Sequence, residues 1–316
     1  MRAWQFTATH APLMRAELPE PLAGPGQVVV DVRAAGLCHS DVGLMEDEGW
    51  LTMLAKRPIT IGHEVAGVVS SLGAGVSGWR LGDRVGICPT TPAGAPGYAY
   101  DGGYADRILV DAQTLVRIPD GVSFGLGAMA TDAGMTSHHA IMATGGLRPG
   151  MKLGIIGLGG LGQIGARVGV LAGAEVYVAE IDERVWPLAE PLGVKRIARS
   201  IREFQRDRLD LIVDLAGFGT TTAEAIETVR HGGRVVQVGM GRLEATISTK
   251  ALILSRVTLC GSAGGTKEDV EGIYRYFATG KLDPALTDIG FDDIPGGLAR
   301  LARGEVKGRL VAQISR

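Results

Sequence analysis

The chain has 316 residues, 46% of them hydrophobic, and a formal charge of −2; this length exceeds a usual single core and points to two domains, and the lack of any basic block excludes a nucleic-acid binder. Residues Met1 to His10 have neither the basic start nor the apolar core of a signal peptide, and no uncharged apolar run approaches membrane-spanning length, so no membrane partner and a cytoplasmic location are expected. Cys38, Cys88 and Cys260 are odd in number and form no CxxC pair, which argues against a disulfide framework and fits a reducing compartment.

In chain order, residues 1 to about 132 read as short β-branched strands: Gln27 to Val32, Ile61 to Ser71, Arg84 to Ile87, Tyr104 to Val110 and Leu115 to Ile118, set apart by Gly, Pro and Asp. The 48 glycines lie in short turns, as tightly joined strands require. This half is expected to be an all-β barrel. From Met151 strands and helices alternate: Leu153 to Gly157, helix Leu161 to Ala172, Glu175 to Ala179, helix Glu183 to Leu192, Leu211 to Ala216, helix Thr222 to Arg230, Arg234 to Gly239 and Thr258 to Cys260. That alternation predicts an α/β fold with a doubly wound parallel sheet. A helix over Val270 to Thr279 and a strand over Arg309 to Ile314 close the chain. The expected domains are residues 1–134, 135–264, and a return of 265–316 to the first.

Gly157, Gly159 and Gly162, with Gly160 and Leu161 between them, form GxGxxG directly after an apolar strand and at the start of a helix. In that context glycines permit a tight turn, let backbone approach a pyrophosphate and set the anion at the positive helix end. About 20 residues on, Glu180 stands where a carboxylate accepts hydrogen bonds from the adenosine ribose diol, which favours NAD over NADP. Arg184 could soften that preference but reads better as a solvent-facing arginine.

Before this fingerprint come Cys38, the triplet Gly62-His63-Glu64 and Asp132. A thiolate, an imidazole and a carboxylate can hold zinc while leaving its fourth position open, whereas a closed structural site wants four protein ligands. Taken alone, Cys38 could be a small core hydrophobe, His63 a satisfied core histidine and Asp132 a helix N-cap. His138 and His139 point about 100° apart on a helix and cannot share a metal.

Gly36-Leu37-Cys38-His39-Ser40-Asp41, Gly62-His63-Glu64, Gly82-Asp83-Arg84-Val85, Gly102-Gly103-Tyr104-Ala105, the fingerprint and Gly308-Arg309 together resemble the zinc-dependent alcohol dehydrogenase branch of the medium-chain dehydrogenase/reductase family, over nearly the whole chain. The resemblance implies a GroES-like catalytic domain beside a Rossmann domain, and interconversion of an alcohol with an aldehyde or ketone. It implies Cys38, His63 and, in place of the more common cysteine, Asp132 as zinc ligands, with Glu64 able to approach or leave the metal. Asp41 would orient His63, and Ser40 would relay the proton. Thr136 is expected beneath the nicotinamide ring, Val238 and Gly239 along its edge, and His39 and Arg309 at the pyrophosphate.

Relatives often carry a relay histidine two residues after the aspartate, where this chain has Gly43, so solvent is the expected proton acceptor. Many also carry a four-cysteine structural zinc lobe, but only Cys88 lies between Val85 and Gly102, so one catalytic zinc and no structural zinc are expected. Trp50, Leu51 and Met53 read equally well as substrate-pocket wall and as core. A homodimer or homotetramer is implied by the family. Two alternatives stand beside this reading: a reductase of conjugated C=C bonds, and a nucleotide-binding protein without turnover.

Overall fold

The computed structural model describes residues 1–315. Eight strands come first: β1 (Arg2–Phe6), β2 (Met14–Glu17), β3 (Gln27–Gly36), β4 (Ile59–Thr60), β5 (Glu64–Leu72), β6 (Arg84–Ile87), β7 (Arg107–Asp111) and β8 (Leu115–Arg117). Six more follow: β9 (Lys152–Ile156), β10 (Glu175–Ala179), β11 (Arg196–Ala198), β12 (Leu211–Asp214), β13 (Arg234–Gln237) and β14 (Thr258–Gly261). The chain ends with β15 (Leu286–Gly290) and β16 (Arg309–Gln313). Two compact units result, one of residues 1–132, 266–279 and 286–316, the other of residues 133–265 and 280–285.

The first unit is built on β3, the longest strand, which pairs antiparallel with β5, β7 and β16. Register shifts where β3 meets β5 bend the sheet, as bulges do, and help it curl into a barrel. Alternate residues Val28, Val30 and Val32 enter a core with Phe6, Leu37, Ile61, Val65 and Leu310, the pattern of strands with one buried face. Where one strand was expected over Ile61 to Ser71, Gly62 adopts φ +96° and separates β4 from β5, so His63 leaves the end of a strand. Strands β1, β2, β4 and β15 were not expected: β2 and β15 are largely exposed or half-buried and lack the apolar, β-branched pattern of the others, and β4 has two residues.

In the second unit the order is β11-β10-β9-β12-β13-β14, every pairing parallel. This is the doubly wound arrangement whose strand order reverses at β9, the strand that feeds the glycine-rich turn. The helix expected over Glu183 to Leu192 starts as a 3-10 turn, Glu183–Leu188, and becomes α-helical only at Ala189–Leu192, because Pro187 supplies no N–H to the α ladder. None of the described helices is long and apolar enough to cross a membrane.

The helix Lys267–Ala278 belongs to the first unit although it directly follows the last parallel strand. Buried Tyr274 secures it there by donating its hydroxyl to the Gly127 carbonyl at 3.0 Å. Tyr274→Phe removes that hydrogen bond, so chemical denaturation should show a loss of about 0.5–1.5 kcal/mol with little change in denaturant slope.

Candidate metal centre and cofactor site

Cys38 caps the helix His39–Glu46, and its backbone N–H donates to Asp41 Oδ2 at 3.1 Å. This local box presents the Cys38 thiol from the first turn. Asp41 has no exposed surface, and its Oδ2 also accepts the Tyr104 hydroxyl at 2.7 Å. Its other oxygen, Oδ1, faces His63 Nδ1 at 3.5 Å. Neither of those two buried atoms has a hydrogen-bond partner, and they face each other. Their pairing suits a histidine that keeps its proton on Nδ1 and offers Nε2 as a donor.

Nε2 points toward Asp132 Oδ2, 3.4 Å away. Donor atoms of Cys38, His63 and Asp132 all lie within 4.8 Å of one another, the one such set among the described residues. Tetrahedral zinc with N and O ligands at about 2.0–2.2 Å sets neighbouring donors roughly 3.3–3.5 Å apart, so the histidine and aspartate spacing fits the ion. Asp132 lies within the π-helical turn Ala130–Gly134, a form common at functional sites. The cap of the preceding helix is Ser123, whose side chain accepts from the Leu126 N–H, so Asp132 is not an N-cap.

The charges are strongly coupled. Burial would lower the His63 pKa, but the Asp41 and Asp132 carboxylates outweigh it and raise it well above the usual value. Burial would raise the Asp132 carboxyl, but His63 and Arg309 hold it below the usual range. In Glu64 burial prevails over the pull of Arg309 and pushes the carboxyl up to about 7. Expected at a pyrophosphate, Arg309 is instead only 3% exposed and donates to Glu64 Oε2 at 2.8 Å and to Asp132 Oδ2 at 2.9 Å. Glu64 stands outside the three-donor cluster. His39 is exposed at the first position of its helix.

Ser40 Oγ lies 3.4 Å from His63 Nε2, and the Tyr98 ring packs against the imidazole with centroids 5.5 Å apart. Neither Tyr98 nor Tyr104 was expected at the ligands, although Tyr104 stands in the Gly102-Gly103-Tyr104-Ala105 motif, which was the available signal. Of the three residues left open as pocket wall or core, Trp50 is 7% exposed and joins the core. Its indole fills the space beside Gly43, where an added Cβ would come within 2.5 Å of Trp50 Cε2.

In the second unit, Gly157 turns the chain after β9 with φ +90°, and Gly159 caps the helix Gly160–Leu171. A Cβ on Gly162 would lie 1.9 Å from the Gly157 carbonyl oxygen, so turn and helix can meet only over a glycine. Glu180 follows β10 and accepts from the Leu158 N–H at 2.7 Å and the Asp182 N–H at 2.8 Å, which ties it to the fingerprint. Arg184 pairs with Asp182 at 2.8 Å and is mostly exposed. Thr136 is 7% exposed, and the N–H groups of Val238 and Gly239 donate to the Asp214 carbonyl at 3.0 and 2.9 Å. Asp214 itself, missed in the sequence, is fully buried, and its side chain accepts from Gly217 N–H, Thr221 and Thr222.

The chain matches the alcohol dehydrogenase GroES-like domain over residues 24–120 and the zinc-binding dehydrogenase domain over residues 160–279. It is 30% identical to an alcohol dehydrogenase of Rhizobium meliloti (strain 1021), with 96% of each chain covered. The solved alcohol dehydrogenase of the hyperthermophilic archaeon Aeropyrum pernix is 28% identical and superposes with a TM-score of 0.91 over 99% of this chain and 100% of that one. The acetophenone reductase of Geotrichum candidum, solved in complex with NAD, is 25% identical, with a TM-score of 0.90 over 99% of this chain and 97% of that one. A two-domain chain with an open three-donor centre and a dinucleotide fingerprint defines a metal-dependent dehydrogenase. The chain belongs to the zinc-dependent alcohol dehydrogenase branch of the medium-chain dehydrogenase/reductase family.

The packing of Trp50 on Gly43 sets a steric expectation for this branch member. Installing the common relay side chain with Gly43→His should displace the indole and lower stability by about 1–3 kcal/mol, read as a lower melting temperature. Pairing it with Trp50→Ala should relieve the clash, although that variant carries its own cavity cost.

Proposed function

We propose that this protein is a zinc-dependent, NAD-linked alcohol dehydrogenase, working equally as a carbonyl reductase on aldehydes or ketones. The observation that carries this reading is the convergence of Cys38, His63 and Asp132 donors in a chain with a complete dinucleotide fingerprint. Those three side chains would hold the zinc, and Asp41 would fix the His63 tautomer. When bound, the metal supplies Lewis acidity that favours loss of the alcohol proton, and NAD accepts hydride from the carbinol carbon. Ser40 would pass the proton outward, with solvent as final acceptor, since Trp50 fills the place of a side chain at 43.

Glu180 would receive the adenosine ribose diol, and its charge would repel a 2′-phosphate. Gly157, Gly159, Gly160, Leu161 and Gly162 would cradle the pyrophosphate, with Thr136, Val238 and Gly239 serving the nicotinamide and His39 the phosphates. One zinc per chain fits a segment between Val85 and Gly102 that holds a single cysteine. An alcohol panel assayed with NAD and NADP beside elemental analysis tests these points together. The expected result is one zinc per chain, a strong preference for NAD, and activity that a chelator abolishes and zinc restores. An α,β-unsaturated aldehyde should yield the allylic alcohol; saturated aldehyde as the main product would favour C=C reduction instead.

Self-association is supported by the edge of the parallel sheet. Among the described residues strand β14 pairs only with β13, and Leu259 on it, like Ile253 and Leu254 nearby, is exposed. Edge strands left bare in this way invite pairing with another chain. Light scattering should therefore give a dimer or tetramer, and Leu259→Lys should shift it toward monomer; an unshifted mass would place the interface elsewhere.

A further inference from the structure

Between the metal donors and the end of the chain lies a buried guanidinium. Arg309 opens β16, which pairs with the far end of β3 in the register Val311 to Gly36, while Gly36 pairs across β3 with Glu64 at the start of β5. The register thus brings Arg309, Gly36 and Glu64 together from three distant stretches. The Glu64 carboxylate occupies the room that a side chain on Gly36 would need, a Cβ there falling 1.8 Å from Glu64 Oε2. Arg309 bonds that oxygen through both Nε, at 2.8 Å, and Nη2, at 2.7 Å, and the same Nη2 reaches Asp132 Oδ2 at 2.9 Å. Side-chain exposure is 4% for Arg309, 0% for Glu64 and 15% for Asp132.

The atom that Arg309 holds is the one that faces His63. Asp132 Oδ2 is 3.4 Å from His63 Nε2, the spacing expected of neighbouring donors on one metal. A carboxylate differs from a thiolate here in a specific way: it has two oxygens and a broad terminal torsion, so something must decide which oxygen points at the ion. A cysteine at this position needs no such decision, because its one sulfur is placed by the backbone and a single torsion. A planar guanidinium with several donors in a fixed fork can anchor on one carboxylate and orient another, which a lysine point charge cannot do equally well. Glu64 anchors the guanidinium on one side and leaves Nη2 in reach of Asp132 on the other.

We propose that Arg309, braced by Glu64, is a positioning residue of the metal centre that selects and fixes the ligating oxygen of Asp132, a function made necessary by having aspartate where many relatives have cysteine. This rests on the reading of Cys38, His63 and Asp132 as zinc ligands. It assigns to Arg309 a task distinct from contact with the cofactor.

The test uses the full zinc-loaded protein and follows zinc transfer to a chromophoric chelator, with NAD affinity measured separately. The charge-balanced pair Arg309→Gln with Glu64→Gln is compared with Glu64→Gln alone, first with Asp132 present and then in an Asp132→Cys background. With Asp132 present, removing Arg309 should speed zinc loss about 10–100-fold, the range typical of partners that orient a ligand. In the Asp132→Cys background the same change should alter the rate less than about 3-fold, since the cycle isolates the coupling between the two positions. Arg309→Lys, which keeps the charge and folds with less disturbance, should fall between, and the cobalt-substituted form should show a shifted visible spectrum.

Equal acceleration in both backgrounds would mark Arg309 as merely structural and overturn the proposal. So would an unchanged or slower zinc loss with Asp132 present, whether or not NAD binding weakens. Failure of the underlying reading looks different: the unsubstituted protein would neither carry zinc nor take it up on dialysis, and the inference would fall with it.

Discussion

The first unit's chemistry hangs on one buried carboxylate. Asp41 accepts a hydrogen bond from its own helix terminus at Cys38 and another from Tyr104, and turns its remaining oxygen to His63. A buried carboxylate is costly unless donors meet it; Oδ2 has two, and Oδ1 faces the His63 ring at 3.5 Å, so the cysteine turn, the Tyr104 loop and the histidine all pack around one side chain. Two of the proposed zinc ligands are therefore fixed by a residue that is not itself a donor in the cluster. A third, Asp132, comes from an independent element, the π-helical turn that follows β8 and a short helix.

Space around this centre is allotted by glycine as much as by polar groups. Gly43 yields its side-chain volume to the Trp50 indole, and Gly36 yields its own to the Glu64 carboxylate. The first substitution explains physically why a chain of this branch can lack the usual outer relay: the core has grown into that place. The second lets a carboxylate sit beside β3, where Arg309 can reach it. Packing density in protein interiors leaves no room for both arrangements, so the missing histidine and the buried tryptophan are one structural choice.

Electrostatics in the same region follow from burial with few exits. His63 is raised by the Asp41 and Asp132 carboxylates, and Asp132 is lowered by His63 and Arg309. Glu64 is the exception, since burial raises it to about 7 even beside Arg309. In the second unit the corresponding theme is anchoring of backbone. Glu180 and Asp214 both bind the N–H groups of the loops at the strand ends, which holds those loops in shape before any ligand arrives.

The alternation of strands and helices after Met151, and the glycine turn between β9 and its helix, could be read from sequence because each is encoded within a few residues by periodicity and by glycine's freedom at φ +90°. Short elements such as β1, β4 and β15 could not, since their burial depends on partners far along the chain. In the same way, residue types and motif order pointed to Cys38, His63 and Glu180, because ligand chemistry belongs to the side chain itself, whereas Asp132 was nominated through the family resemblance. What each buried charge touches was settled only by tertiary structure. Arg309 reads as a phosphate ligand until β16 pairs with β3 and brings it to Glu64 and Asp132, and Trp50 is undecided until Gly43 makes room for it. Such contacts join positions hundreds of residues apart, and no local pattern carries them.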